Sequence, residues 1–336
     1  MQHSQHPAVF VQTNEAVGNR VIAMRRGDDG SLSELGSYAT GGAGDGRPHL
    51  TSQGSVALTR DGSQLLVANA GSADVSIFSV EDGGLSLIDT VATGPAPKSV
   101  AEHGGIVYVL NTGDASLAGF RLDDREPIER RRLADGSDPA QVGFTPDGST
   151  LVVTDRGTNA IVQIPVDDSG RLGEARISPS SGPTPYGFAF AGDTLVVTEA
   201  FGAQTGKAAA SSYRLTAASA TPVSRSIGNG RSEICWAVVT NDGRYAFTTN
   251  FADGAVSRYA IGNDGSIALE DAAAGVAVDG QTGLRDEDLS ADGRFLYAVD
   301  TDSGRVFGWA VQDGGELEPL GSWAGLPATA AGLAAS

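Results

Sequence analysis

The chain has 336 residues, a formal charge of −18, 46 glycines, one cysteine and 19% charged residues. That charge opposes nucleic acid and anionic membranes, which attract proteins through clustered Lys and Arg, and the lone Cys235 excludes an internal disulfide and a cysteine-based metal cage. Glycine-rich composition with recurring Val, Leu and Thr runs favours turn-rich β structure over helices.

The N-terminal MQHSQHPAVF lacks the basic-then-apolar pattern of an export signal, and no apolar run approaches the roughly 18 residues of a membrane span. A soluble, cytoplasmic protein is expected. The first β run, AVFVQTN, ends at Asn14 with no run before it. GGAGDG at 41–46 has no Lys and opens no helix, so it reads as a loop rather than a phosphate cradle. From Val56 comes VALTRDGSQLLVANAGSADVSIFSV: two runs around Asp-Gly, a turn, and a third run.

The same pattern returns near Ser99, where HGGIVYVL replaces the Asp-Gly turn, and from Val142, near Tyr186, at CWAVVTNDGRYAFTTN from Cys235 and at EDLSADGRFLYAVD from Glu287. Between the copies near Ser99 and from Val142, Arg130, Arg131 and Arg132 lie beside Asp123, Asp124, Glu126 and Glu129, as on a solvated strand edge. The residues ending each second run, Asn14, Asn69, Asn111, Asp155, Glu199, Asn250 and Asp300, are spaced by 55, 42, 44, 44, 51 and 50 residues. Seven units of about four short strands at that period predict an all-β, seven-bladed β-propeller of antiparallel blades, a single domain over 1–336. The terminal LPATAAGLAA supplies the strand that the first unit lacks and closes the ring, leaving no open sheet edge at the seam.

In such a meander the start of strand one and the end of strand two share a face. That places Gln53, Ser55, Lys98, Gln141, Tyr186, Cys235, Trp236, Arg285 and Asp286 around the mouth of the central channel, with Phe251 on its rim. Most residues that end a second run satisfy local turns, since Asn and Asp imitate backbone. Glu199 is the one Glu among them and is a candidate acid or base. GLRDEDLSADG sets Arg285, Asp286, Glu287 and Asp288 in succession on an inner strand, where charges are costly unless paired or wet. Of the histidines, His49 precedes the first strand of unit two and reaches toward the same mouth, while His103 falls at a hairpin. No Ser-His-Asp order, dinucleotide fingerprint or metal-binding spacing appears, so no cofactor and no metal are expected.

GSVALTRDGSQLLVANAGSADVSIF, GPTPYGFAFAGDTLVVTEAFG, VVTNDGRYAFTTNFADGAVSRYAIG and LSADGRFLYAVD give the whole chain a resemblance to the lactonase family of seven-bladed propellers, which is similar to the propeller-type phosphogluconolactonases and carboxymuconate-lactonizing enzymes. The resemblance implies a site of one His, two Arg and a Glu, and the Glu falls on Glu199. Here Gly54 precedes Ser55, Thr184 follows Gly182-Pro183 and Phe251 follows Asn250, so the His and both Arg positions depart from the pattern. His49 and Arg285 are the nearby substitutes. Loss of the arginines disfavours phosphorylated or polycarboxylate substrates. The expectation is therefore a lactonase-like hydrolase of a small, neutral or weakly charged lactone, with Glu199, Arg285 and His49 catalytic and Gln53, Ser55, Tyr186, Trp236, Phe251 and Asp286 binding the substrate. A non-catalytic propeller binding a metabolite or protein, and a cyclase or isomerase, remain open on the same face, as does the oligomeric state. The longer AFGAQTGKAAASSYRL stretch is a candidate lid carrying Lys207.

Overall fold

The computed structural model describes residues 7–47, 53–82 and 84–336. They form seven four-stranded antiparallel sheets arranged as a propeller. Blade two shows the plan: Val56–Leu58 innermost, then Gln64–Asn69, Asp74–Glu81 and Gly84–Ala92 outward. Blades three to seven begin with the inner strands Pro97–His103, Pro139–Phe144, Pro185–Ala191, Ile234–Val239 and Leu284–Leu289. In blade one the inner strand is Ala331–Ala335, paired antiparallel to Ala8–Gln12, so the end of the chain closes the ring as its sequence indicates.

Second strands are apolar on both faces because each is sandwiched between two blades. In Gln64–Asn69, Leu65 and Val67 join a cluster with Phe10, Val21 and Phe78 toward blade one, while Leu66 and Ala68 join Val100, Val109 and Phe120 toward blade three. Side-chain alternation across a strand delivers this split. A cluster of this kind fills every one of the seven blade-to-blade gaps. The hydrophobic core is therefore a ring of wedges rather than one central mass.

The hairpins between first and second strands repeat one device. In blade two Thr59 Oγ1 and the Ser63 amide donate to Asp61, the Gly62 amide donates to the Thr59 carbonyl, and Gly62 takes φ +70°. Asp147 with Gly148, Asp242 with Gly243 and Asp292 with Gly293 do the same in blades four, six and seven. Glycine suits the left-handed position and Asp imitates a turn of backbone, which is why Asp-Gly marks these hairpins. His103, at the glycine turn of blade three, packs its ring against Phe144 at 5.8 Å and meets Arg60 at 3.1 Å, so it bridges blades rather than standing in water.

Six of the residues that end a second run do end a strand, and all six are knotted into the turn that follows or into the loop from the preceding blade. Asn14 lies two residues beyond Ala8–Gln12 at φ 52° and binds Asp45 and the Arg47 carbonyl instead. No helix among the described residues is long and apolar enough to cross a membrane.

Candidate functional site

The mouth is shaped by one irregularity repeated around the ring. Each inner strand of blades three to seven skips a place in register next to its first residue: between Pro97 and Ser99, Pro139 and Gln141, Pro185 and Phe188, Ile234 and Ala237, and Leu284 and Glu287. A bulge re-aims the extra residues out of the ladder. Those residues are Lys98, Ala140, Tyr186 with Gly187, Cys235 with Trp236, and Arg285 with Asp286.

Ala140, Tyr186, Cys235 and Trp236 pack together with Phe251 against them and form the floor. Tyr186 meets Trp236 edge to face at 5.9 Å, and Trp236 is 1% exposed, so the indole is a wedge between blades rather than an open platform. The Tyr186 hydroxyl is buried without a hydrogen-bond partner, and burial pushes it well above the usual phenol range. Burial also pushes the Cys235 thiol up, with Glu233 adding to the effect, so Cys235 is an inert thiol and not a nucleophile.

Three cations stand around this floor. Arg285 lies 4.7 Å above the centre of the Phe251 ring and pairs with Asp302 at 3.7 Å, while its Nε donates to Thr301 Oγ1. Arg156 lies 5.1 Å above the Tyr186 ring and pairs with Asp138 at 2.7 Å. Lys98 is 3.7 Å from Asp45. Burial lowers the pKa of Lys98, with Asp45 opposing and Arg47 and Arg156 adding to the shift. Burial lowers that of Arg285 too, opposed chiefly by Asp302. Arginine is thus missing from the sequence positions of Thr184 and Phe251, yet a guanidinium from the neighbouring blade covers Tyr186 in one case and Phe251 in the other. Sequence reasoning passed over Arg156; it follows the second-strand terminus Asp155 as Phe251 follows Asn250, and that parallel was the available signal.

Glu199 lies elsewhere. It is fully buried, and its carboxylate accepts from the Gly182 amide at 2.8 Å, Ser211 Oγ at 2.6 Å and Ser226 Oγ at 2.6 Å, with longer contacts from Ser180 and Tyr213 at 3.4 Å. These donors belong to blade five and the loop entering it, and Arg285 is not among them. Asn69, Asn111 and Asn250 likewise reach a serine on the third strand, there donating from Nδ2 to its hydroxyl oxygen, so Glu199 is the carboxylate version of a repeated knot with the bond reversed. Its position orders the 180–182 turn that leads into Tyr186.

Gln53, Ser55 and Asp286 serve the channel wall. The Gln53 amide exchanges two hydrogen bonds with the backbone of Ala237, tying blade two to blade six across the channel. Ser55 is fully buried against Gly332, and its hydroxyl finds no partner. Asp286 accepts from the amides of Leu333, Glu287 and Gly54, and Asp288 from those of Ala335 and Leu289. The two aspartates clip the closing strand to blade seven. Glu287, 2% exposed, finds no hydrogen-bond partner for either carboxyl oxygen among the described residues. Desolvation raises all three carboxyls, Asp288 to about 7 and the other two well above their usual range. His49 lies outside the described residues.

The loop after Glu199 turns at Phe201–Ala203 and is pinned outward, its Gly206 amide donating to Ser232 Oγ and Ala208 exchanging backbone hydrogen bonds with the 229–231 segment. Lys207 is exposed on it. No group of three His, Cys, Asp or Glu side chains suited to a metal occurs among the described residues. A cavity of about 780 Å³ lies away from the mouth, between outer strands of blades two and three, lined by Val91, Gly94, Phe120, Ile128 and Arg130. It contains none of the candidate residues, and the one cation in it is held by Asp114; the charged, aromatic mouth is the better candidate site.

Comparison with known proteins agrees with this architecture. The profile of the family described as "Lactonase, 7-bladed beta-propeller" matches residues 3–127, 120–200 and 196–330. No curated protein matches. Among solved structures, a Lactobacillus plantarum protein superposes with a TM-score of 0.75 at 17% identity, covering 99% of both chains. A proposed 6-phosphogluconolactonase of Bacteroides fragilis gives 0.75 at 16% identity over 100% of this chain and 99% of the other. The periplasmic gluconolactonase PpgL of Pseudomonas aeruginosa gives 0.75 at 16% identity over 98% of each. At such identities the superpositions speak for the fold, and it is the profile that covers the sequence from end to end: the chain belongs to the lactonase family of seven-bladed β-propellers.

Proposed function

We propose that the channel mouth hydrolyses a small ring ester carrying at most one negative charge. The observation that carries this reading is the pair of guanidinium groups, the bulge residue Arg285 over Phe251 and Arg156 over the bulge residue Tyr186. Arg285, desolvated and fixed by Thr301 and Asp302, is suited to draw electrons from the lactone carbonyl and to hold the oxyanion that forms as water adds. Arg156 and Lys98 are suited to a single carboxylate; both already neutralise an aspartate, which supports a weakly charged substrate over a phosphorylated one. Phe251 supplies the apolar surface for the ring, backed by the buried Tyr186–Trp236 pair. Glu199 acts as a positioning residue through the 180–182 turn, and Gln53, Ser55 and Asp286 hold the channel wall on which the floor rests. The family membership and the gluconolactonase name of one structural relative support ester hydrolysis over other chemistry.

The test is proton release from neutral and monocarboxylate five- and six-membered lactones in weak buffer. The wild type hydrolyses at least one class, and Arg285→Gln lowers kcat/KM about 100-fold, the usual effect of removing one oxyanion donor. Silence of the wild type across the panel, with these compounds still bound, would favour a metabolite-binding propeller. Engagement of the Glu199 carboxylate by its own blade favours that second reading.

A further inference from the structure

The residue that precedes each inner strand has a fixed backbone duty. The carbonyls of Ala96, Asp138, Thr184, Glu233 and Gly283 each accept the amide of the residue after the second strand of the same blade, at 2.9–3.1 Å. The side chain at this place is free to differ, and blade six sets a glutamate there. Glu233 is half-exposed and lies two residues before Cys235, whose thiol contacts the Glu233 carbonyl at 3.3 Å.

Glu233 meets the Arg285 site through Phe251: the Phe251 amide donates to the Glu233 carbonyl at 2.9 Å, and Arg285 lies over the Phe251 ring and pairs with Asp302; Asp300 also acts on Arg285. Asp300 accepts from the amide and hydroxyl of Ser303, and Asp302 binds Thr282 and Arg285 itself. Nearby Asp253 accepts the Ser232 amide. Glu233 alone of these makes no side-chain hydrogen bond or ion pair with a described residue, yet it shares the electrostatic field of Arg285, Cys235 and Asp253. An unspent carboxylate at the same mouth as a fixed guanidinium is what a general base for water attack requires.

We infer that Glu233 is the acid–base residue of this site, an assignment that rests on the ring-ester reading above. Its carboxylate takes a proton from water as the water oxygen bonds to the lactone carbonyl carbon, and the carbonyl electron pair moves onto the oxygen held by Arg285. The tetrahedral carbon then expels the ring oxygen, which takes the proton back from Glu233, giving the open hydroxy acid. Desolvation raises the Glu233 pKa, Asp253 raises it further and Arg285 opposes the shift, so the group ionises above the ordinary glutamate range and is a stronger base than a solvated one.

The experiment compares wild type, Glu233→Gln and Glu233→Asn on δ-valerolactone and a monocarboxylate derivative, with binding of the open acid 5-hydroxyvalerate measured by calorimetry from pH 4 to 8. Asn tolerates the left-handed backbone found at Glu233, φ 53°, which guards against a folding artefact. Both variants lose kcat about 100- to 1000-fold with KM nearly unchanged and lack the acid limb of the wild-type kcat/KM profile. Turnover and acid limb intact in both variants overturn the assignment while leaving lactone hydrolysis standing. If the wild type opens no lactone, the reading of the site fails separately and binding decides Glu233. A carboxylate facing the ligand makes wild-type affinity for 5-hydroxyvalerate fall as Glu233 ionises, and removes that fall in the variants. Equal affinities at every pH overturn the inference.

Discussion

Glu199, a candidate acid or base by sequence, is a carboxylate that the fold itself engages. A glutamate at the end of a strand is a poor turn former, so its presence suggests chemistry; in the fold it is buried among five donors that two strands and a loop deliver to it. Turn propensity describes exposed backbone, whereas this position is a junction inside a blade. Removing the acceptor strands buried hydroxyls and an amide, and each unsatisfied group costs about 1–3 kcal/mol. Glu199→Ala is therefore expected to lower stability by about 2–4 kcal/mol, read as a fall in the denaturation midpoint. Glu199→Gln keeps one acceptor oxygen, turns an amide toward donors and falls between wild type and alanine. A Glu199→Gln protein with wild-type stability would show that the knot is not what retains this carboxylate. Arg285 was legible as a mouth residue from its place at the head of a strand, but its partner Phe251 comes from another blade and no spacing in the chain announces that contact.

At the scale of the element, the repeat period and the Asp-Gly hairpins were plain because each blade solves the same problem with the same residues. The bulges were hidden. A bulge inserts a residue without a composition signal, so reading alternation straight through Ile234–Val239 or Leu284–Leu289 assigns side chains to the wrong face after the first residue. Gly187 exposes how tightly the bulge of blade five is seated. A Cβ there would stand 2.4 Å from both the Cys235 carbonyl oxygen and Gln53 Oε1 and 2.9 Å from the Trp236 Cα, two of which are backbone atoms. Gly187→Ala is expected to cost about 1–3 kcal/mol, as overpacking does, and to weaken ligand binding because the strain falls on the residues that carry Tyr186 and Trp236. Crystallography of the variant would show the Gln53–Ala237 hydrogen bonds lengthened; if they and the stability are unchanged, the channel is more pliable than the close approach implies.

For the whole molecule, opposite titration behaviour is distributed between the hairpin turns and the channel. Turn hydrogen bonds hold Asp61, Asp147 and Asp242 below the usual range, Asp242 at about 2, so their contribution exists above pH about 4 and is lost as pH falls. Asp286, Glu287 and Asp288 are held up by desolvation, so their contribution is full below pH about 4 and is lost as pH rises, for Asp288 through about 7. Stability should peak on the acid side of neutrality. Asp288→Asn removes one titrating group from the channel, so its melting temperature should vary less between pH 4 and 7 than that of the wild type, the difference across this window amounting to about 1–3 kcal/mol. Parallel curves for the two proteins would show that Asp288 ionises no differently in the folded ring than in the unfolded chain.

The pairing of Ala8–Gln12 with Ala331–Ala335 also sets a timetable for biosynthesis. Of the propeller's strands, Ala8–Gln12 leaves the ribosome ahead of all the others, while its partner Ala331–Ala335 follows them. Until then, Phe10 and Val11 line an unpaired sheet edge, and the channel face of blade seven lacks the amides of Leu333 and Ala335 that Asp286 and Asp288 accept. An open edge of that kind can recruit a strand from another nascent chain. The seam is thus a vulnerable place during translation, and once paired it is held by the exchange in which Ala8 and Ser336 hydrogen-bond both ways.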